Sequence, residues 1–218
     1  MNWRSLAIAL ALSAGSMVLC GQVPGSFGLK GGIALANQSY RITSIDYKLE
    51  TEAVIGPALS LFVETFKGSH FSFQLDVGYV VKGSSTTTES VTVNHLDNDR
   101  IVVNEGEPAS SKFAYLTVVP MVRYRWDLES LTPYLLLGPR IDFLLNYTTE
   151  SEYPLPDQKG TIFGLSCGAG LEYHLQNLGL FVELQYQPDL SPLSMQETLL
   201  INNNILSLTL GIRWIVSE

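Results

Sequence analysis

Eight segments of this chain alternate residue by residue between apolar and polar side chains, and every charge in them falls on one phase. Successive side chains of a β-strand point to opposite faces. In the third segment, FQLDVGYVVKG (73–83, with its pattern reaching back to Phe71), the residues Phe71, Phe73, Leu75, Val77, Tyr79 and Val81 share one face. Ser72, Gln74, Asp76, Gly78, Val80 and Lys82 share the other. The same sorting recurs at 26–37, 53–66, 113–126, 133–145, 161–173, 180–187 and 205–214. The charges so placed are Lys30, Lys82, Arg123, Arg125, Arg140 and Arg213 against Glu64, Asp76, Asp142, Glu172 and Glu183. The apolar phase carries none. A charge in an apolar medium is costly unless it is paired, so each strand must set its two faces against different surroundings.

Alternation alone also suits a soluble sandwich with one solvated face. The connections separate the two readings. Those after the second, fourth and sixth segments are short: KGSH, DLESL and HLQNLG. Those after the first, third, fifth and seventh are long: 38–52, 83–112, 146–160 and 188–204. A barrel that spans an outer membrane has short periplasmic turns and long external loops, whereas a Greek-key sandwich gives no reason for such alternation. The expected fold is therefore all-β: an eight-stranded antiparallel up-and-down transmembrane β-barrel with short periplasmic turns and four longer external loops. Its apolar phase faces lipid and its charges face the interior, where Asp76 pairs with Lys30, Arg123 or Arg140. Arg123, on the neighbouring strand, is the first choice.

Smaller signals agree. Pro57, Pro120 and Pro139 interrupt strand patterns, and each should mark a bulge, a strand end or a lapse in the ladder. Most strand glycines share the charged phase, where a narrow interior needs small neighbours. Tyr79, Tyr124, Trp126, Tyr134, Tyr173, Tyr186 and Trp214 fall near strand ends, where aromatic girdles belong. No segment after the N-terminus is apolar for the ~18 residues a membrane-spanning helix needs.

The first residues, MNWRSLAIALALSAGSMVLCGQ, combine Arg4, an apolar run from Leu6 to Leu19 and small residues near Gly21. This is the pattern of a cleaved secretory signal. The expected division is a signal peptide over 1–21 and an outer-membrane barrel domain over 22–218. Cys20 invites a lipoprotein reading, but Met17-Val18-Leu19 lack the small residue such a cysteine needs before it. If Cys20 leaves with the signal, Cys167 has no disulfide partner within the chain. Removing Arg4 leaves 12 basic residues against 21 acidic, a net charge of −9. That balance disfavours nucleic acid and anionic membrane surfaces as partners.

FQLDVGYVVKG, YLTVVPMVRY, PYLLLGPRIDFLL and LSLTLGIRW resemble the small bacterial outer-membrane β-barrel family labelled porin-family or PorT-like. The resemblance covers about residues 26–216 and is carried by Gln74-Leu75-Asp76-Val77-Gly78-Tyr79, Lys82-Gly83, Pro120 and Tyr134-Leu135 with Gly138-Pro139. It implies the same fold and an outer-membrane location, and it assigns no activity.

The eleven inward charges allow a catalytic centre, an ion path or a structural network. A barrel of about eight strands is just filled by its own side chains, which favours a closed, salt-bridged interior. His70, His95 and His174 are spread along the chain, and no Ser-His-acid set shares one strand layer. Asp97, Asp99, Glu105 and Glu107 lack the regular ligand spacing of a calcium loop. No phosphate loop, dinucleotide fingerprint or zinc spacing occurs. The expected protein is a monomer and not an enzyme, without cofactor or metal. It has a structural or surface-interaction role, with lipid around it and protein or surface-polysaccharide contacts through acidic external loops. The alternatives are a narrow transport pore and a soluble periplasmic barrel that binds a small apolar ligand.

Overall fold

The computed structural model describes residues 25–42, 47–49, 52–65, 68–94, 100–126, 128–149, 159–191 and 199–216. The expected signal segment 1–21, with Cys20, and His95 and the acids at 97 and 99 lie outside these residues.

Nine strands follow one another: β1 (Ser26–Ile42), β2 (Tyr47–Leu49), β3 (Glu52–Thr65), β4 (Phe71–Asn94), β5 (Arg100–Arg125), β6 (Leu131–Thr149), β7 (Thr161–Leu175), β8 (Leu178–Pro188) and β9 (Leu199–Ile215). β2 pairs only with the outer end of β1. The other eight pair antiparallel in sequence order, and β1 closes onto β9 from Ser26↔Ile215 to Ile42↔Leu199. Each of the eight alternating segments is one stave of this closed barrel. The first and last residues of the barrel sit at the end that also holds the short connections. The tightest of these is Gln176-Asn177, where Gln176 has φ 50°. A two-residue hairpin turn needs such positive φ to match the twist of its strands.

The opposite end departs from expectation. The segment 83–112 is mostly paired strand. β4 and β5 stay in register past Gly83↔Lys112 out to Asn94↔Arg100, with one shift between Thr87 and Glu89. β6 accompanies β5 only as far as Ser111↔Thr149. A two-stranded ribbon therefore stands beyond the barrel wall, and GSSTTTES is part of it. Its Thr and Val content suits a pleated backbone. Its polar side chains made it look like a loop.

The three prolines sit where the ladder lapses. Pro57 lies within the β3–β4 register shift between Ala53 and Ala58. Pro120 and Pro139 occupy the gap between Val118↔Ile141 and Val122↔Leu137 on β5 and β6. Neither has an amide donor, so both missing bonds fall at one place in the wall.

The apolar phase points outward. Leu29, Ile33, Leu59, Leu137, Leu184 and Leu208 are all exposed. This orientation overturns the soluble-cup alternative, which needs those side chains inside. Among the proposed girdle residues Trp126, Tyr173 and Tyr186 are exposed, and Trp214 stacks on Phe27 at 5.7 Å. Tyr134 is the exception. It is buried at 1% exposure, because its even position on β6 belongs to the inward phase. Cys167 is a free thiol on the wall.

Leu208→Arg places a cation on the outward face of β9. It should cost ~2–4 kcal/mol of stability if that position lies at the bilayer midplane, and less nearer an interface, read as a lower urea midpoint in lipid vesicles.

Candidate functional site: the barrel interior

All eleven charges on the polar phase are buried: Lys30, Glu64, Asp76, Lys82, Arg123, Arg125, Arg140, Asp142, Glu172, Glu183 and Arg213. A twelfth, Asp189, joins them at 8% exposure. Six basic and six acidic groups thus share the interior among the described residues. They form three groups along the barrel axis.

At the short-turn end, one carboxylate oxygen of Glu172 accepts from Arg123 at 2.5 Å and from Arg213 at 3.0 Å. Glu64 takes Arg213, Arg123 at 3.4 Å and Arg125 at 3.6 Å. Arg213 also donates to Ser26 Oγ at 2.8 Å, and Arg125 donates to the Gly68 carbonyl at 3.0 Å. Thr132 pairs with Glu172 across β6 and β7. His174 lies two residues on, with Nε2 3.0 Å from Thr132 Oγ1 and Nδ1 3.8 Å from Glu172. A histidine thus lies beside a hydroxyl and an acid, with threonine and not serine supplying the hydroxyl. Thr132 and Glu172 share the inward phase of β6 and β7, and Glu172 is one of the eleven charges of the alternating segments. His70 is exposed in the 66–70 connection, where its ring lies 3.2 Å from Ser69 Oγ and its carbonyl accepts from the Arg125 backbone amide.

Above this group lies an aromatic layer. Phe62 and Phe181 meet edge to face at 5.7 Å, and Tyr134 reaches Phe181 at 6.4 Å. Arg123 lies over the Tyr134 ring at 3.9 Å and Arg213 over Phe62 at 4.7 Å. Each ring rests on the glycine directly across its ladder: Phe62 on Gly28, Tyr134 on Gly170 and Phe181 on Gly211. A Cβ at those glycines would come within 2.2–2.4 Å of ring atoms. In this layer the inward glycines make room for aromatic rings, whereas Gly164 on β7 makes room for the Arg140 guanidinium.

The middle group holds Lys30 between two acids, Asp76 at 2.6 Å and Glu183. Lys30, and not Arg123, is thus the partner of Asp76. Arg123 lies nearer the short-turn end, at the level of Ser72, its register partner on β4. Gln74 donates to Asp76 at 2.8 Å and accepts from Arg213 at 3.3 Å, linking this group to the first. Tyr134 donates to Glu183 at 3.0 Å.

The outer group joins Lys82 to Asp142 at 2.5 Å and to Asp189 at 3.2 Å. Arg140 donates to Asp142 at 2.9 Å and also to Asp189. Asp189 further accepts from the backbone and side-chain amides of Asn203 at 3.2 and 2.8 Å, which ties the end of β8 to β9. Gln185 and Gln187 complete a thread to the middle group: Arg140 donates to Gln187, Gln187 to Gln185 and Gln185 to Glu183. Asp189 follows Pro188 at the end of β8, inside the long connection 188–204 of the sequence pattern. Extending the alternation 183, 185, 187 by one step reaches it. Apolar side chains fill the space between the charges, among them Val119, Met121 and Leu136 below and Tyr115, Ile162 and Ile205 above. Among the described residues no cluster of three or more His, Cys, Asp or Glu is placed to hold a metal ion.

Residues 24–194 match the model of a family described as outer membrane protein beta-barrel domain. No curated protein sequence matches the chain. Among solved structures, Neisserial surface protein A aligns at 13% identity and TM-score 0.51, covering 88% of this chain and 99% of that one. Ail, the attachment invasion locus protein of Yersinia pestis, solved with the heparin analogue sucrose octasulfate, aligns at 17% identity and TM-score 0.43, covering 88% and 100%. The outer membrane protease OmpT of Escherichia coli aligns at 10% identity and TM-score 0.48, covering 89% and 98%. The likeness to Neisserial surface protein A, at 13% identity, is one of fold.

Two variants check the middle group. Lys30→Met leaves Asp76 and Glu183 together without their cation and should cost ~3–5 kcal/mol of stability in vesicles. Asp76→Asn keeps the Lys30–Glu183 pair and should cost clearly less, so urea midpoints should rank parent, Asp76→Asn, Lys30→Met. Gly211→Val tests the aromatic layer: the added methyls meet the Phe181 ring and the Leu29 carbonyl. Overpacking of this kind should cost ~1–3 kcal/mol.

Proposed function

Because the chain belongs to the outer membrane protein beta-barrel family, we propose that it is a closed, non-conducting and non-enzymatic barrel with a structural or surface-interaction role. The protein resides in the outer membrane with lipid around its apolar wall. What supports the closed reading is the stacked interior. Three ion-paired groups and the layer of Phe62, Tyr134 and Phe181 lie across the axis, joined by hydrogen bonds from Arg213 to Arg140. An open pore would need water in place of those rings. Opening one would also break buried ion pairs, each costly to separate.

The interaction surface in this reading is the external end. The β4–β5 ribbon carries it, and loops held by a rigid scaffold commonly bear function. Residues 83–111 contain Glu89, Asp97, Asp99, Glu105 and Glu107 against Arg100. That acidic balance suits basic protein segments, and the Ser and Thr residues suit sugar hydroxyls. The protein acts as a monomer of the porin-family or PorT-like kind, without cofactor or bound metal.

Planar-bilayer recording of purified protein tests the closed interior. The expected record shows no stable conductance steps, alongside heat-modifiable migration on a denaturing gel as evidence of a folded barrel. Large reproducible steps would overturn the reading.

A further inference from the structure

The short-turn end of the barrel encloses a cavity of about 220 Å³, outside the sealed stack. We propose that this vestibule binds a small oxyanion, a carboxylate or a phosphate, from the periplasmic side. The site is distinct from the external ribbon and does not depend on what that ribbon contacts.

Three observations carry the inference. First, the walls are unbalanced in charge. Among the described residues Arg123, Arg125 and Arg213 face the cavity against Glu64 and Glu172. The other two ionic groups of the interior have no such basic excess: the middle one holds one base and two acids, the outer one two of each. Second, the wall is rich in donors. A guanidinium has several N–H groups in a planar fork, and Nε of Arg123 is buried without a hydrogen-bond partner. Ser26 donates its hydroxyl to Glu64 at 2.7 Å and so holds that carboxylate, Thr132 adds a hydroxyl, and His174, a third exposed, adds an imidazole at the rim. Third, the arginines are held in place. Arg213 is fixed by Glu172, Glu64 and Gln74 and packs over Phe62. Arg123 is fixed by Glu172 and the Tyr134 ring. A preorganised fork of this kind matches the geometry of a carboxylate or phosphate. Little side-chain entropy then remains to be lost on binding.

The orientation supplies the source. The short turns, the start of β1 and the end of β9 lie on this side, which in an outer-membrane barrel faces the periplasm. Peptide carboxyl ends and free phosphate carry the same chemistry there.

Calorimetric titration of the detergent-solubilised protein distinguishes them, using inorganic phosphate, N-acetyl-alanyl-alanine and the same dipeptide amidated at its C-terminus. The expected result is saturable binding of phosphate, of the free-acid dipeptide or of both, with no binding of the amide. Phosphate alone assigns the site to phosphate, and the dipeptide alone assigns it to peptide carboxyl ends. Arg125→Gln removes one positive charge and the donor to the Gly68 carbonyl, so it should weaken binding at least tenfold. Glu64→Gln removes a competing carboxylate and should tighten binding several-fold. Heat-modifiable migration shows whether each variant is folded. If Arg125→Gln does not fold, Glu64→Gln decides. Absence of binding by the parent, equal binding of the amide, parent-like affinity in folded Arg125→Gln or weaker binding in folded Glu64→Gln overturns the proposal.

Discussion

The pairing of β1 with β9 is the contact on which the rest depends. It runs the whole length of β1 and leaves the barrel wall without an open edge. In hydrocarbon an unpaired row of amides and carbonyls would cost several kcal/mol per group, so closure is a condition of residence in a membrane. Closure also creates an inside. Once the ring is shut, the two-residue period sends one phase to lipid and the other into a space that bulk water hardly reaches. The apolar phase can then be uniform, and the charges on the other phase must find partners among themselves.

Those partners are spaced by aromatic packing. Phe62, Tyr134 and Phe181 occupy the same phase as the charges, and each fits only because its cross-strand neighbour is a glycine. The rings also give Arg123 and Arg213 a face to lie on, so the guanidiniums meet carboxylates on one side and π-density on the other. Cation–π contacts strengthen when desolvated. The layer thus serves as packing, as a lid between two ionic groups and as a support for the arginines of the vestibule.

The staves of the barrel were legible in the sequence because lipid outside and ion pairs inside impose the same period on all eight strands. Partners within the interior were less so. Alternation shows which face a side chain takes but not its height along a tilted strand, and Asp76 meets Lys30 through a height that only the register reveals. The ribbon beyond the wall was missed for the opposite reason. Its opening stretch GSSTTTES carries no apolar side chain and so shows no alternation, although Thr86–Thr87 and Val102–Val103 are good strand formers. Tyr134 was placed in the girdle by residue type, when its even position already assigned it to the interior.

Electroneutrality adds information that periodicity lacks. The alternating segments alone supply six inward bases and five inward acids. One uncompensated charge in a sealed, low-dielectric space is costly enough that a sixth acid is to be expected at a strand end. Asp189 fills that place, two positions beyond Gln187 on the same phase, and it binds Lys82 and Arg140 together. The balance is global rather than local: the group at the short-turn end has one base too many and the middle group one acid too many. Arg213, Gln74 and Asp76 link the two by hydrogen bonds. The surplus positive charge therefore faces the vestibule, where water and an arriving anion reach it, while its counter-charge stays buried behind the rings. An oxyanion entering from the periplasm meets a field that the barrel sustains without unpairing any of its inner charges.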